Sequence, residues 1–121
     1  MARDAIYKYL FMYYTGCMKE NQTQLQAKLF KGFADHSRLL ILTSVLGKPK
    51  TVSEIVGITK LSQPNTSAHL ACLLDCGLLQ RDKKGREVFY RISGKEVPAI
   101  LREVGKVLKK HSDKIKECKS Y

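Results

Sequence analysis

Apolar residues recur along this chain with two different periods, and the point where one gives way to the other organises the architecture. From residue 4 to about residue 18, Tyr7, Leu10, Phe11 and Tyr14 keep a 3.6-residue spacing, which predicts a helix with an aromatic face. A second helix is expected from about Gln22 to Ala34, with Leu25, Leu29, Phe30 and Phe33 on one side. Asp35 reads as the N-cap of a third, Ser37 to Leu46, so rich in Leu and Ile that it is expected to be buried all round. Gly47-Lys48-Pro49 ends it.

Two further helices follow across a tight connection. Thr51 caps a short one holding Val52, Ile55 and Val56, with Gly57 as its expected stop. Ser62 caps the next, which carries Pro64 in its first turn, where a missing N–H does no harm, and runs to about Cys76 before Gly77. Short helix, turn, longer helix is the helix-turn-helix arrangement. After Gly77 the period drops to two. Leu78, Leu79 and Gln80 open a strand, Lys83-Lys84-Gly85-Arg86 turns it with Gly85 supplying a positive φ, and Val88 to Ile92 return. A last helix, from about Lys95 to Cys118, sets Val97, Ile100, Leu101, Val104, Val107 and Leu108 on one apolar stripe. A lone hairpin is not stable, so it must lie beside the helices. The expected fold is mainly α with a two-stranded β-wing, a winged helix-turn-helix.

Length and composition narrow this further. At 121 residues the chain has room for one modest core, and no repeat, low-complexity tract or linker divides it, so a single domain spanning 1–121 is expected. A hydrophobic share of 44% and a charged share of 27% suit a folded protein. Lys and Arg total 22 against 11 acidic residues, a net charge of +11, which predicts a polyanionic partner, nucleic acid ahead of a membrane surface. The apolar runs Ile6–Tyr14 and Leu39–Leu46 are too short to span a bilayer, and Lys8 and four tyrosines make the first a poor export signal. A cytoplasmic location is therefore expected, with Cys17, Cys72, Cys76 and Cys118 as reduced thiols.

Chemistry enters at two places. Base reading by a helix needs short polar side chains near its N-terminus, and Gln63, Asn65, Thr66, Ser67 and His69 supply them. Lys83, Lys84 and Arg86 add three cations at the hairpin, aimed at phosphates or the minor groove. Further along the same helix, Cys72 and Cys76 are four residues apart, so both sulfurs share a face and form half of a tetrahedral soft-metal site. Their alternative role is as two small apolar core residues. Cys118 and Cys17 are the remaining sulfur donors. Enzymatic features are missing: no phosphate loop, no nucleophile-base set and no carboxylate pair, with His36, His69 and His111 on separate helices. Neither catalysis nor a small organic substrate is expected.

The stretches Leu61-Ser-Gln-Pro-Asn-Thr-Ser-Ala-His-Leu70, Gly77-Leu-Leu79 and Lys84-Gly-Arg-Glu-Val-Phe-Tyr-Arg-Ile92 resemble the ArsR/SmtB family of metal-responsive repressors. Ala34-Asp-His-Ser-Arg-Leu39 resembles its opening to a core helix, with His36 where proline is common. The resemblance covers about residues 30–93 and implies four helices, two strands and a closing helix, a homodimer formed through the first and last helices, and operator DNA as partner. His69-Leu-Ala-Cys-Leu-Leu-Asp-Cys-Gly-Leu78 is similar to the CmtR-like cadmium- and lead-sensing branch. That likeness implies Cys72 and Cys76 as ligands, joined by Cys118 from the other protomer, with Cys17 as an optional fourth and Cd or Pb, or else Zn or As(III), as the effector. Two other sites of the family have no counterpart here: Val52-Ser-Glu-Ile-Val56 lacks cysteine, and His111, Asp113 and Glu117 fit a zinc pattern poorly. A redox switch joining Cys118 to Cys72 or Cys76 is the alternative, since Lys116 and Lys119 flank Cys118, whereas an i,i+4 pair on an intact helix sits too far apart for a disulfide.

Overall fold

The computed structural model describes residues 21–120. The helix expected over 4–18, and Cys17 with it, lies outside them. The chain divides into two compact units, one ending at Asp35 and one running from His36 onward. In the first, helix α1 (Asn21–Phe33) leaves Leu25, Leu29 and Phe30 largely exposed.

The second unit has the expected order. It comprises α2 (His36–Ser44), α3 (Val52–Thr59), α4 (Gln63–Asp75), strands β1 (Leu79–Lys84) and β2 (Glu87–Ile92), and α5 (Glu96–Glu117). Helices α2, α3 and α4 all pack on one another around Ile41, Leu42, Val45, Ile55, Leu70 and Leu73. Leu78 and Leu79 extend this core under the hairpin. Helix α2 ends at Ser44 and is not buried all round: Thr43 is exposed, because only one side of the helix meets α3 and α4, and Leu46 just beyond its end is exposed too.

Local chemistry explains most boundaries. Thr51 accepts from the Glu54 N–H while the Glu54 carboxylate accepts from the Thr51 N–H, a capping box at the start of α3. Gly57 does not stop that helix. It lies within the last turn, and the chain leaves the helix at Lys60 in the left-handed region, φ 61°, with the Lys60 N–H closing on the Val56 carbonyl. Ser62 caps α4 by accepting from the Asn65 N–H, with Pro64 in the first turn, and Gly77 follows the C-cap at φ 76°.

The strands are antiparallel, with Leu79 opposite Ile92 and Lys84 opposite Glu87. Gly85 and Arg86 alone form the connection. Positive φ falls on Gly85 and not on Arg86, the pattern of a type II′ turn. Lys50 and Tyr90 exchange both backbone hydrogen bonds, at 3.0 and 2.8 Å, so the segment before α3 adds one rung to the free edge of β2.

Helix α5 buries Val97, but Val104, Val107, Leu108 and Ile115 are each more than a third exposed. Its apolar side and that of α2 border an open groove of about 520 Å³, lined by Leu39, Thr43, Leu46, Leu101, Val104 and Leu108. The helix is interrupted at His111, whose φ of −128° and ψ of 15° are not helical.

Candidate nucleic-acid interface and thiol pair

Helix α4 carries both candidate chemistries. Its inner side is set by Thr66, Leu70 and Leu73, spaced by four and three residues and at most 2% exposed. Gln63, Asn65 and Ser67 are exposed on the first turns, while His69 is half-buried and makes contacts of its own. Thr66 is a correction to the sequence reading. It is completely buried, and its hydroxyl donates to the Ser62 carbonyl at 2.8 Å, so it braces the first turn from inside and has no free edge for a base. The signal was present in the sequence, since Thr66 falls in phase with Leu70 and Leu73.

The cations of the hairpin are arranged differently from a cluster at its tip. Only Arg86 lies in the turn; Lys83 and Lys84 close β1 and, as successive strand residues, project to opposite faces. The Lys84 ammonium sits 5.8 Å from the centre of the Phe89 ring, a cation–π contact. Two further cations belong to the same ribbon. Arg81 is exposed on β1, and Arg91 on β2 is joined to Asp82 across the sheet at 2.7 Å. Sequence reading passed over both; strict alternation through Arg81-Asp82-Lys83 and Phe89-Tyr90-Arg91 would have placed them.

Cys72 and Cys76 do come together. Asn65, His69, Cys72 and Cys76 follow one another by four, three and four residues, and so share one stripe of α4. Cys72 is half-buried, Cys76 is exposed, and both are free thiols one helical turn apart. The Cys76 thiol is pushed above its ordinary pKa by partial desolvation first, then by the charge and hydrogen bond of Cys72, then by Asp75; Arg38 on α2 pulls the other way. Two adjacent sulfurs are a ready pair of soft donors. Cys118, half-buried at the C-cap of α5, is not gathered with them within one protomer. Among the described residues no three His, Cys, Asp or Glu side chains converge on a metal-sized site. None of the described helices is long and apolar enough to cross a membrane.

Comparison with known proteins agrees with this geometry. Residues 35–81 match the family described as "Bacterial regulatory protein, arsR family". The chain is 33% identical over 90 residues to the arsenical resistance operon repressor of Bacillus subtilis, covering 71% of this chain and 86% of that one. It is 35% identical over 75 residues to a probable mercury resistance operon repressor of Streptomyces lividans, covering 62% of this chain and 60% of the length of that relative. The regulator CmtR of Mycobacterium bovis is 30% identical over 82 residues, covering 68% and 70%, so these relatives do not single out the cadmium and lead branch. Among solved structures, the homodimeric winged helix-turn-helix DNA-binding domain Mb0332 of Mycobacterium bovis superposes with a TM-score of 0.68 over 87% of this chain and 97% of its own, at 24% identity. The fold is a winged helix-turn-helix, and the chain belongs to the ArsR family of bacterial regulatory proteins.

Proposed function

We propose that this protein is a metal-responsive transcriptional repressor in the cytoplasm, binding operator DNA as a homodimer and releasing it when a soft metal ion is captured by Cys72 and Cys76. The observation that supports this reading is the single stripe of α4 that begins at exposed Asn65 in the first turn and ends at two neighbouring thiols, Cys72 and Cys76. Gln63, Asn65 and Ser67 meet base edges, while Lys83, Lys84 and Arg86 meet phosphates. His69, half-buried and with an interaction of its own, stands one turn further along the same stripe as a further DNA contact.

The dimer reading is supported by the uncovered apolar side of α5 and the groove beside it, which a second copy would close. Two thiolates leave a soft ion short of donors, and Cys118 of the partner, with Cys17 as an optional fourth, completes the set. Cd(II) or Pb(II) suits such a sulfur-rich site best, with Zn(II) and As(III) as competitors. The ion supplies a cross-link between α4 and the far end of the partner chain, which moves the reading turn out of register. Coupling of this kind is reciprocal: a typical 1–3 kcal/mol, about 5- to 150-fold, weakens DNA and metal binding equally.

The test uses Cys72→Ser/Cys76→Ser. That variant is expected to bind an operator, selected from a random duplex pool, as tightly as the parent, yet to keep its grip when Cd(II) is added. Sulfur-to-metal charge-transfer absorption, titrated on each single Cys variant, counts the ligands. Release of DNA from the double variant by Cd(II) would refute the thiol site.

A further inference from the structure

One face of the wing holds its cations in place before any ligand arrives. The register puts Gln80 opposite Arg91, Asp82 opposite Phe89 and Lys84 opposite Glu87, so these six side chains share the face turned away from buried Leu79. On it, Asp82 Oδ2 accepts a hydrogen bond from Arg91 Nε at 2.7 Å. Both partners remain more than 40% exposed, so the pair contributes little to stability. What it does is geometric. The bond engages Nε and leaves the two terminal amino groups outside it, the groups that can bind a phosphate oxygen pair. Lys84, one step further toward the turn, is steadied in the same way by the Phe89 ring.

We propose that this face of the wing is a second phosphate-contacting surface, in which Arg91 binds the DNA backbone and Asp82 is its positioning residue. The inference rests on the DNA-binding reading above but concerns residues outside it. It has a counterintuitive consequence. An acidic residue beside a polyanion normally weakens binding, so Coulomb's law alone predicts that removing Asp82 tightens the complex. A positioning role predicts the reverse, because a rotamer-rich side chain must then be ordered on binding.

The test is a double-substitution cycle on the full chain, with binding to a random-sequence duplex followed by fluorescence anisotropy across a salt series. Asp82→Ala is expected to raise Kd about two- to tenfold, the cost of ordering one long side chain. Arg91→Ala is expected to lower the slope of log Kd against log salt by about 0.9, one phosphate contact. With Arg91 already removed, Asp82→Ala should no longer weaken binding and should tighten it. Arg91→Lys, which keeps the charge but not the Nε bond, should bind more weakly at an unchanged slope, and this holds the idea to account if an alanine variant does not fold. Tighter binding by Asp82→Ala in both backgrounds, or an unchanged slope for Arg91→Ala, overturns the proposal. A parent chain that binds no duplex at all overturns the DNA reading with it.

Discussion

Thr66 offers the sharpest separation between a base-reading and a bracing residue, and Thr66→Val is the perturbation that tells them apart. The substitution keeps the β-branched shape and removes only the hydroxyl. That hydroxyl donates to the Ser62 carbonyl, which already accepts from the Thr66 N–H at 2.9 Å. The carbonyl therefore stays paired after the change, and no buried polar group is orphaned. The loss is at most one ordinary hydrogen bond, about 0.5–1.5 kcal/mol, offset in part by burying a methyl group where the hydroxyl was. In a domain of this size about 1 kcal/mol moves the melting temperature by roughly 4–8 °C, so thermal denaturation followed by circular dichroism resolves it. Affinity for a selected operator should stay within about twofold, whereas losing a good base contact costs about 1–3 kcal/mol, at least fivefold. Asn65→Ala, measured alongside, should show that larger loss. A Thr66→Val variant of near-parental stability that loses tenfold in operator affinity would show that the hydroxyl does reach a base.

Two further outcomes follow from local geometry. Lys60 holds a left-handed φ of 61° at the end of α3, so Lys60→Gly should stabilise the protein by about 0.5–1 kcal/mol, read from a urea transition; an unchanged or lower midpoint would contradict it. The Cys76 thiol keeps its proton to higher pH than a free thiol, through partial desolvation first and Cys72 second, so its alkylation by iodoacetamide should require higher pH than that of a reference peptide, and Cys72→Ser should shift the rate profile back down the pH scale. Peptide mapping by mass spectrometry follows that site alone, and an unshifted profile would argue against any influence of Cys72 on the Cys76 thiol.

Much of this fold was legible because its punctuation is local. Thr51, Ser62 with Pro64, Gly77 and Gly85 each do what their side chain, or lack of one, dictates within a few residues. The fall in period after Gly77 announced the wing for the same reason. Errors came where the decisive partner is distant. Gly57 reads as a stop only until packing against α2 and α4 carries α3 two residues further, to Thr59. Thr66 looks like a surface hydroxyl until the phase set by Leu70 and Leu73 turns it inward. Pairing of Asp82 with Arg91, and of Lys50 with Tyr90, depends on strand register, which no single stretch of sequence contains. The thiol pair was legible as a pair, because i and i+4 on a helix are neighbours by construction; a third donor is a question of assembly.

The two amide bonds between Lys50 and Tyr90 have a mechanical meaning for any switch built on this head. A hairpin joined only at its base could flap and so give up its phosphates one at a time. Stitched to the residue just ahead of the Thr51 cap, this one is geared to α3, and through α3 to α4, the helix proposed to read the bases. Turning that helix by a few degrees would swing the wing along with it, and the grip on the duplex would open as one hand.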